Sequence, residues 1–80
     1  MSGEKKSYPT PGYRYRHYKG GLYDVLFLSE HSETEEALVN YQSVQFGSYY
    51  SRPLDSWNSK TSTGDTRFLY TGDRQKRLRL

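Results

Sequence analysis

The sequence predicts a single all-β domain, a small five-stranded barrel with one short helical turn before the last strand. Three observations indicate this fold. Several short segments alternate apolar and polar residues, Gly, Pro and Ser cluster between them, and aromatic residues make up 16% of a chain that is only 32% hydrophobic. Eighty residues allow one domain with a small core. Tyrosine suits such a core because its ring fills space while its hydroxyl stays in water.

The first strand is predicted over residues 13–18, after a lead-in of residues 1–12 that contains two prolines and is expected to be disordered. Within this strand the alternation places Tyr13, Tyr15 and His17 on one face. Residues 19–21 read Lys-Gly-Gly and are predicted to form a tight turn, because glycine adopts positive φ without steric cost.

The second strand is predicted over residues 22–31, and its four consecutive apolar residues at positions 25–28 indicate burial on both faces. Residues 32–37 are acidic and are interpreted as a loop. A helix is the alternative, since Ser32 and Glu35 have capping-box spacing, but the segment is too short for more than one turn. The third strand is predicted over residues 38–46.

The fourth strand is short, residues 49–52, because Pro53 lacks the amide that a central ladder requires. Residues 53–57 are predicted to form a helical turn that places Leu54 and Trp57 on the open end of the core. A Ser/Thr-rich loop leads to the last strand, residues 66–71. Closure into an SH3-like barrel over residues 13–71 would remove the exposed sheet edges.

Composition restricts the function classes. The chain has no cysteine, which excludes disulfides and zinc–thiolate sites and fits a reducing compartment. No apolar run follows the N-terminal lysines, so a secretory signal peptide is not expected. The longest apolar run has four residues, against roughly 20 for a membrane span. We therefore expect a cytoplasmic protein with no membrane partner.

Charge is distributed unevenly along the chain. Residues 13–57 hold four basic and six acidic residues, whereas residues 58–80 hold six basic and two acidic ones. The basic tail, residues 72–80, is expected either to contact nucleic acid or to be a solvated terminus. Phosphate contacts from the tail alone would give a slope of about −3 in log K against log salt.

Two arginines of the first strand, Arg14 and Arg16, lie on the same face. Phosphate contacts are one use for them. The preferred interpretation is pairing with Asp24 and Glu30 across the hairpin, worth about 0.2–1 kcal/mol per pair.

Six short motifs resemble, in order and spacing, the bacterial domain-of-unknown-function family 1653. They are Tyr15-Arg16-His17-Tyr18-Lys19-Gly20, Tyr23-Asp24-Val25-Leu26, His31-Ser32-Glu33-Thr34, Leu38-Val39-x-Tyr41-Gln42, Arg52-Pro53-Leu54 and Gly64-x-x-Arg67-Phe68. The resemblance covers about residues 13–70. It implies a small SH3-type barrel, and it implies no activity because the family is named for lacking one.

The chain departs from the family pattern at several positions. Glu35 stands where the family usually has Gly, and the closing Gly-x-x-Arg-Phe motif is one residue shorter. Residues 49–51 read Tyr-Tyr-Ser in place of a Leu-Trp-Val-like stretch, and Trp57 replaces the usual Phe. These departures concern a loop and any ring-lined pocket rather than the fold.

Two groupings contain residue types with catalytic or metal chemistry. His17, His31 and Glu33 could supply zinc ligands if the strand register brought them together. His31, Ser32 and Glu33 have the residue types of a nucleophilic triad, but neighbours in a strand point to opposite faces. We therefore predict no metal, no cofactor and no enzymatic activity.

A binding surface is the remaining prediction. Its six candidate residues are aromatic or basic: Tyr18, Lys19, Tyr49, Tyr50, Arg52 and Trp57. Such a surface suits single-stranded nucleic acid, whose bases stack on rings, and the alternative partner is an extended peptide bound along the Tyr49–Trp57 edge. For Trp57 and Tyr50 a place in the core is the preferred interpretation, because the core has few aliphatic residues. The oligomeric state is not predicted.

Overall fold

The strands form where residue alternation predicts them, with no bound shifted by more than three residues. The computed structural model describes residues 7–74. Its elements, in chain order, are β1 (Tyr13–His17), β2 (Leu22–Glu30), β3 (Ala37–Ser43), β4 (Tyr49–Pro53), α1 (Leu54–Asn58) and β5 (Phe68–Arg74). The prediction of five strands with one helical turn before the last is confirmed.

All five strands belong to one antiparallel sheet with the order β4-β3-β2-β1-β5. The terminal strands of this order, β4 and β5, are not hydrogen-bonded to each other. They nevertheless approach across the concave face, where the Arg52 guanidinium carbon lies 5.3 Å from the centre of the Phe68 ring. The predicted closure is therefore corrected: the sheet is barrel-like and open, and side chains rather than backbone hydrogen bonds connect its edges.

The core lies on the concave face and is mostly aromatic. Val25, Val39 and Leu54 are the largest fully buried side chains, and around them pack Tyr15, Tyr41, Trp57 and Phe68. The Trp57 and Phe68 rings stack with centroids 3.7 Å apart and planes 3° apart. The rings of Tyr15 and Tyr41 pack edge-to-face with Trp57, with centroids 5.4 and 5.2 Å from its centroid. Ring quadrupoles favour this geometry.

The helical turn α1 covers one end of the core. Leu54 and Trp57 are three positions apart and therefore share the buried face of the turn. Pro53 precedes the first helical residue with φ −57°, the angle its ring fixes. No helix within residues 7–74 is long and apolar enough to cross a membrane.

A β-bulge interrupts β2. Val25 pairs with Tyr41 and Phe27 pairs with Asn40, so Leu26 is an extra residue with no partner on β3. The bulge turns Phe27 to the convex face, where its side chain is 55% exposed. The prediction that residues 25–28 are buried on both faces is therefore wrong at Phe27.

The ends of two strands differ from the prediction. β3 stops at Ser43, whose hydroxyl accepts a hydrogen bond from the Phe46 amide at 3.0 Å and so favours a turn over residues 44–46. β5 continues through Gly72 to Arg74, so residues 72–74 are part of the sheet rather than of a tail. Residues 75–80 of the predicted tail lie outside the described residues.

The segment before β1 is held against the domain. Pro9 is buried, the Thr10 amide donates to the Tyr15 hydroxyl at 2.9 Å, and the Asn58 side chain donates to the Ser7 carbonyl at 2.7 Å. The predicted disorder of residues 1–12 therefore does not describe residues 7–12. Residues 1–6 lie outside the described part of the chain.

Candidate functional site

Four of the six predicted ligand residues lie near the gap between β4 and β5. Tyr18 and Lys19 follow β1, and Tyr50 and Arg52 lie on the inner face of β4, opposite Tyr41 and Val39 of β3. Tyr50 is 45% exposed at the mouth of the core, so its predicted place inside the core is corrected. An edge strand has only one neighbour to cover its side chains, and this leaves Tyr50 accessible.

The other two predicted residues lie elsewhere. Trp57 is only 4% exposed and stacks on Phe68, so it supports the site from beneath instead of presenting a face to a ligand. Its inclusion in the binding surface is corrected, and the preferred interpretation of Trp57 as a core residue is confirmed. Tyr49 is 72% exposed, but as the neighbour of Tyr50 in a strand it points to the convex face.

A cavity of about 260 Å³ opens between the two edge strands, and we name it the seam cavity. It is lined by His17, Tyr23, Tyr41, Tyr50, Arg52 and Phe68. Five of these six side chains are aromatic rings, counting imidazole, and Arg52 supplies the positive charge. Because no backbone ladder joins β4 to β5, the space between them remains accessible to a flat molecule.

Arg52 is held in place by hydrogen bonds to neutral groups. Its Nε donates to the Tyr41 hydroxyl at 3.1 Å, and its Nη1 donates to the Ser56 hydroxyl at 3.1 Å. The guanidinium also lies over the Phe68 ring. These contacts fix the direction of the side chain while its charge stays without a carboxylate partner in residues 7–74.

Two further cations flank Tyr18 beside the cavity. The Lys19 ammonium lies 5.7 Å and the Arg67 guanidinium carbon 5.6 Å from the centre of the Tyr18 ring. Arg67 donates from Nε to the Ser59 hydroxyl at 3.1 Å. The exposed Tyr18 ring therefore has two positive charges within 6 Å of its centre, an arrangement that suits a ligand combining a flat ring with an anion.

His17 lies between the seam cavity and these cations. Its ring contacts Tyr18 and Phe68, with centroids 4.7 and 4.9 Å away, and its Nδ1 accepts a hydrogen bond from the Lys19 amide at 3.2 Å. Burial lowers the pKa of His17, and the positive charges of Arg52, Arg67 and Lys19 lower that pKa further. The lowered pKa favours the neutral imidazole, and the positive charge of the site comes from Lys19, Arg52 and Arg67.

Arg14, on β1, forms an ion pair and is therefore not one of the cations of the site. Arg14 binds Asp24 through two hydrogen bonds, Nε to Oδ1 at 2.7 Å and Nη2 to Oδ2 at 3.1 Å, as the sequence predicts. This pair raises the pKa of Arg14. Arg16 pairs with Leu22 in the β1–β2 ladder and is exposed, so its predicted pairing with Asp24 or Glu30 is not observed.

An acidic groove lies on another part of the molecule. It has a volume of about 490 Å³, and its lining includes Glu30, Glu35, Glu36 and Asp55. Glu35 adopts φ +64°, a left-handed conformation that favours glycine, at the position where the family resemblance implies Gly. The carboxylates make this groove unfavourable for an anion despite its size.

The structure does not bring together the residues of the two chemical groupings. His17 is at the Leu22 end of the nine-residue strand β2, while His31 follows Glu30 at its far end. His31 accepts hydrogen bonds at Nδ1 from the amides of Glu33 and Thr34, at 3.1 and 3.3 Å, and so acts as a turn residue. Within residues 7–74 no group of three His, Asp or Glu side chains is positioned to hold a metal ion.

The sequence does not mark five residues of the site as ligand-binding: His17, Tyr23, Tyr41, Phe68 and Arg67. The four rings among them were predicted to lie in strands, and alternation indicates their inward face. The sequence has no signal that separates a ring at the mouth of a cavity from one in the core. Arg67 lies in a loop, so its approach to Tyr18 depends on the pairing of β5 with β1.

Comparison with known proteins confirms the family resemblance. The family model described as "Protein of unknown function (DUF1653)" matches residues 13–70. A crystal structure of a DUF1653 protein from Bordetella bronchiseptica is 35% identical to this chain, covers 86% of it and 95% of its own length, and has a TM-score of 0.69. No curated protein matches the chain significantly.

Proposed function

Because the chain belongs to the DUF1653 family of proteins of unknown function, we propose its function from the site itself. It is a binding module whose seam cavity and neighbouring cations take single-stranded nucleic acid. Five antiparallel strands curled around one core, with a helical turn before β5, support the SH3-like assignment. The absence of catalysis and a cytoplasmic location remain predictions from the sequence.

The observation that carries the proposal is the set of cations around the seam cavity. Lys19, Arg52 and Arg67 all lie close enough to His17 to lower its pKa, and none forms an ion pair with a carboxylate in residues 7–74. Among the six residues that line the cavity there is no Asp or Glu. A phosphate placed near these cations would therefore be attracted by all three and would offset their mutual repulsion.

The rings of the site favour unpaired bases over a duplex. A base that stacks on an aromatic side chain contributes about 1–3 kcal/mol, and its π-face is available only when the strand is single. Tyr18 and Tyr50 are both partly exposed beside the cations. A cavity of about 260 Å³ is also of the right order for one base, whereas it is too narrow for a helix of paired strands.

Fluorescence anisotropy with labelled oligothymidylate and oligouridylate at low ionic strength tests the proposal. Lys19→Gln removes one exposed cation from the site, and Arg16→Gln removes one exposed cation from the convex face of β1 as the matched control. Three phosphate contacts give a slope of about −2 in log K against log salt, and loss of one lowers its magnitude by about 0.7. We expect that change in Lys19→Gln alone.

Absence of binding to either oligonucleotide at low ionic strength would refute the proposal. Truncation after Arg74 separates the seam from the basic residues 75–80, which lie outside the described part of the chain. If the truncated protein keeps its dependence on Lys19, the seam binds by itself. Loss of all binding on truncation, with Lys19→Gln unchanged, would assign the nucleic acid to the tail and contradict the proposal.

Peptide binding is the second candidate function, and the edge of β4 supports it. Residues 49–53 pair with β3 on one side only, which leaves backbone groups available for an added strand. A pull-down compares the wild type with a Tyr50→Ala plus Arg52→Ala double variant. Recovery of the same proteins by both would count against a peptide site at this edge.

A further inference from the structure

The bulge at Leu26 places an aromatic side chain in solvent. Without the extra residue, Phe27 would share the inner face with Val25, since residues two apart in a strand point the same way. With it, Phe27 lies on the convex face and is more than half exposed. A phenylalanine has no polar atom for water to solvate, so this exposure does not stabilise the monomer. Bulges often redirect a side chain at a functional site.

Phe27 forms one wall of a second cavity, which we name the outer groove. The groove has a volume of about 270 Å³, and its most exposed ring is that of Tyr49. Its lining also includes Asn40 and Ser51, which pair with each other across β3 and β4 and whose short side chains leave room between the rings.

The side chains of Asn40 and Ser51 in this groove are already hydrogen-bonded within the sheet. The Ser51 hydroxyl donates to Asn40 Oδ1 at 2.5 Å, and Asn40 Nδ2 donates to the Ser29 hydroxyl at 2.9 Å. No Asp, Glu, Lys, Arg or His lines the groove. Its chemistry thus suits a flat, uncharged ring system and gives no specific partner to a charged group.

The outer groove and the seam cavity are neighbours on opposite faces of the sheet. Tyr41 and Tyr50 line both of them. Adjacent residues of β4 project to opposite faces of the sheet. A nucleic-acid strand that leaves the seam cavity past Tyr50 therefore meets Tyr49 after it crosses the unpaired edge of β4. Phe27 lies on β2, two strands farther, or about 10 Å across the sheet.

We propose that the outer groove stacks further bases of the strand that the seam cavity holds. This inference rests on the proposed function and specifies its ligand, a single strand of at least about three nucleotides rather than a mononucleotide. One base occupies the seam cavity beside Arg52, and the following bases stack on Tyr49 and Phe27. The phosphates between the first bases lie near the cations, and the later bases bind through their rings.

Titration of the full-length protein with oligothymidylates of one to ten nucleotides tests this inference. Affinity should rise up to about four nucleotides and then level off. Phe27→Ala should weaken binding of an eight-nucleotide strand about tenfold and leave dinucleotide binding unchanged. Phe46→Ala is the matched control, because Phe46 is 84% exposed in the turn after β3 and does not line the groove. Thermal melting should show that both variants fold like the wild type.

The possible results separate this inference from the proposed function. Equal affinity for two and eight nucleotides, with no effect of Phe27→Ala, would show that the outer groove does not bind bases. The proposed binding in the seam cavity would then remain. No binding of any oligonucleotide would overturn both. Amide chemical shifts near Phe27 and Tyr49 that respond to an extended peptide and not to an oligonucleotide would assign the groove to a peptide and overturn the inference.

Discussion

Two histidines of this chain close turns in the same way but lie in opposite electrostatic surroundings. His17 accepts the amide of Lys19, and His31 accepts the amide of Glu33, in each case two residues later and at a strand end. The seam places three cations around His17, whereas the loop after His31 contributes to an acidic groove. The local backbone motif is therefore independent of the chemistry that tertiary structure brings to it.

The acidic groove and the seam cavity differ in the same way. The acidic groove is larger than the seam cavity, about 490 against 260 Å³, yet its lining carries carboxylates. The seam cavity is smaller, is lined by rings and faces cations. The sign of the surrounding charge, and not volume, therefore indicates which of the two can accept an anionic ligand.

The largest expected effect is on stability and comes from Trp57, which stacks on Phe68 of the seam cavity. Trp57→Ala should lower the free energy of unfolding by about 3–5 kcal/mol, because it leaves a cavity under Phe68 and removes the contacts of Tyr15 and Tyr41. Tyr49→Ala removes an exposed ring and should change that free energy by less than about 0.5 kcal/mol. Urea unfolding measures both. A loss below about 1 kcal/mol for Trp57→Ala would contradict the assignment of Trp57 to the core.

The second effect concerns the cation inside the seam. Arg52→Met should weaken oligonucleotide binding about tenfold, equivalent to about 1.4 kcal/mol, and it should raise the pKa of His17 because one of the charges that lower it is lost. Arg16→Met, the same change at an exposed site, should do neither. Anisotropy gives the affinity and an NMR titration of the His17 ring gives the pKa. An unchanged pKa would mean that Arg52 does not face the imidazole in solution.

The third effect concerns the acidic loop, residues 32–37, and should not alter binding at the seam cavity. Glu35→Gly should raise the free energy of unfolding by about 0.5–1 kcal/mol, because glycine adopts φ near +64° without the steric cost of a side chain. Glu33→Gly makes the same charge change in the same loop at a residue without positive φ and should destabilise the protein. Thermal unfolding compares them. Stabilisation by both variants would point to relief of charge repulsion instead.

The smallest effect is the pH dependence that His17 contributes. Its pKa is lowered in the folded state, so below the ordinary value of about 6.5 the unfolded chain binds a proton that the folded chain does not. The contribution of His17 to stability is thus complete above about pH 6.5 and decreases as the pH falls toward the folded pKa. His17→Gln should reduce the slope of stability between about pH 7.5 and 5.5. Identical slopes in urea unfolding would show that the folded pKa is not lowered.

The order of residues is enough to predict the elements and the family. Alternation is a local property of a strand, so the inward faces of β1 and β3 follow from the order of residues, as with Tyr15 and Tyr41, which are buried. The spacing of Leu54 and Trp57 similarly predicts which face of α1 is buried. The same sequence motifs identified the family, which the comparisons confirm over residues 13–70.

The candidate site was predictable only in part. Tyr18, Lys19, Tyr50 and Arg52 come from two distant segments that the sequence marks as aromatic and basic, and the structure places them around one seam. Arg67 and His17 complete the site through the pairing of β5 with β1. Strand pairing of this kind joins residues about 50 positions apart, and no local pattern reports it.

Tertiary structure alone decided three further features. It left the sheet open between β4 and β5, it inserted the bulge that exposes Phe27, and it left Tyr50 at the surface. Each depends on register and on which strand becomes an edge, and both are set by the packing of the whole core. Residue order fixes the direction in which a side chain leaves its strand, but only the assembled sheet determines whether that direction leads to a neighbour or to solvent.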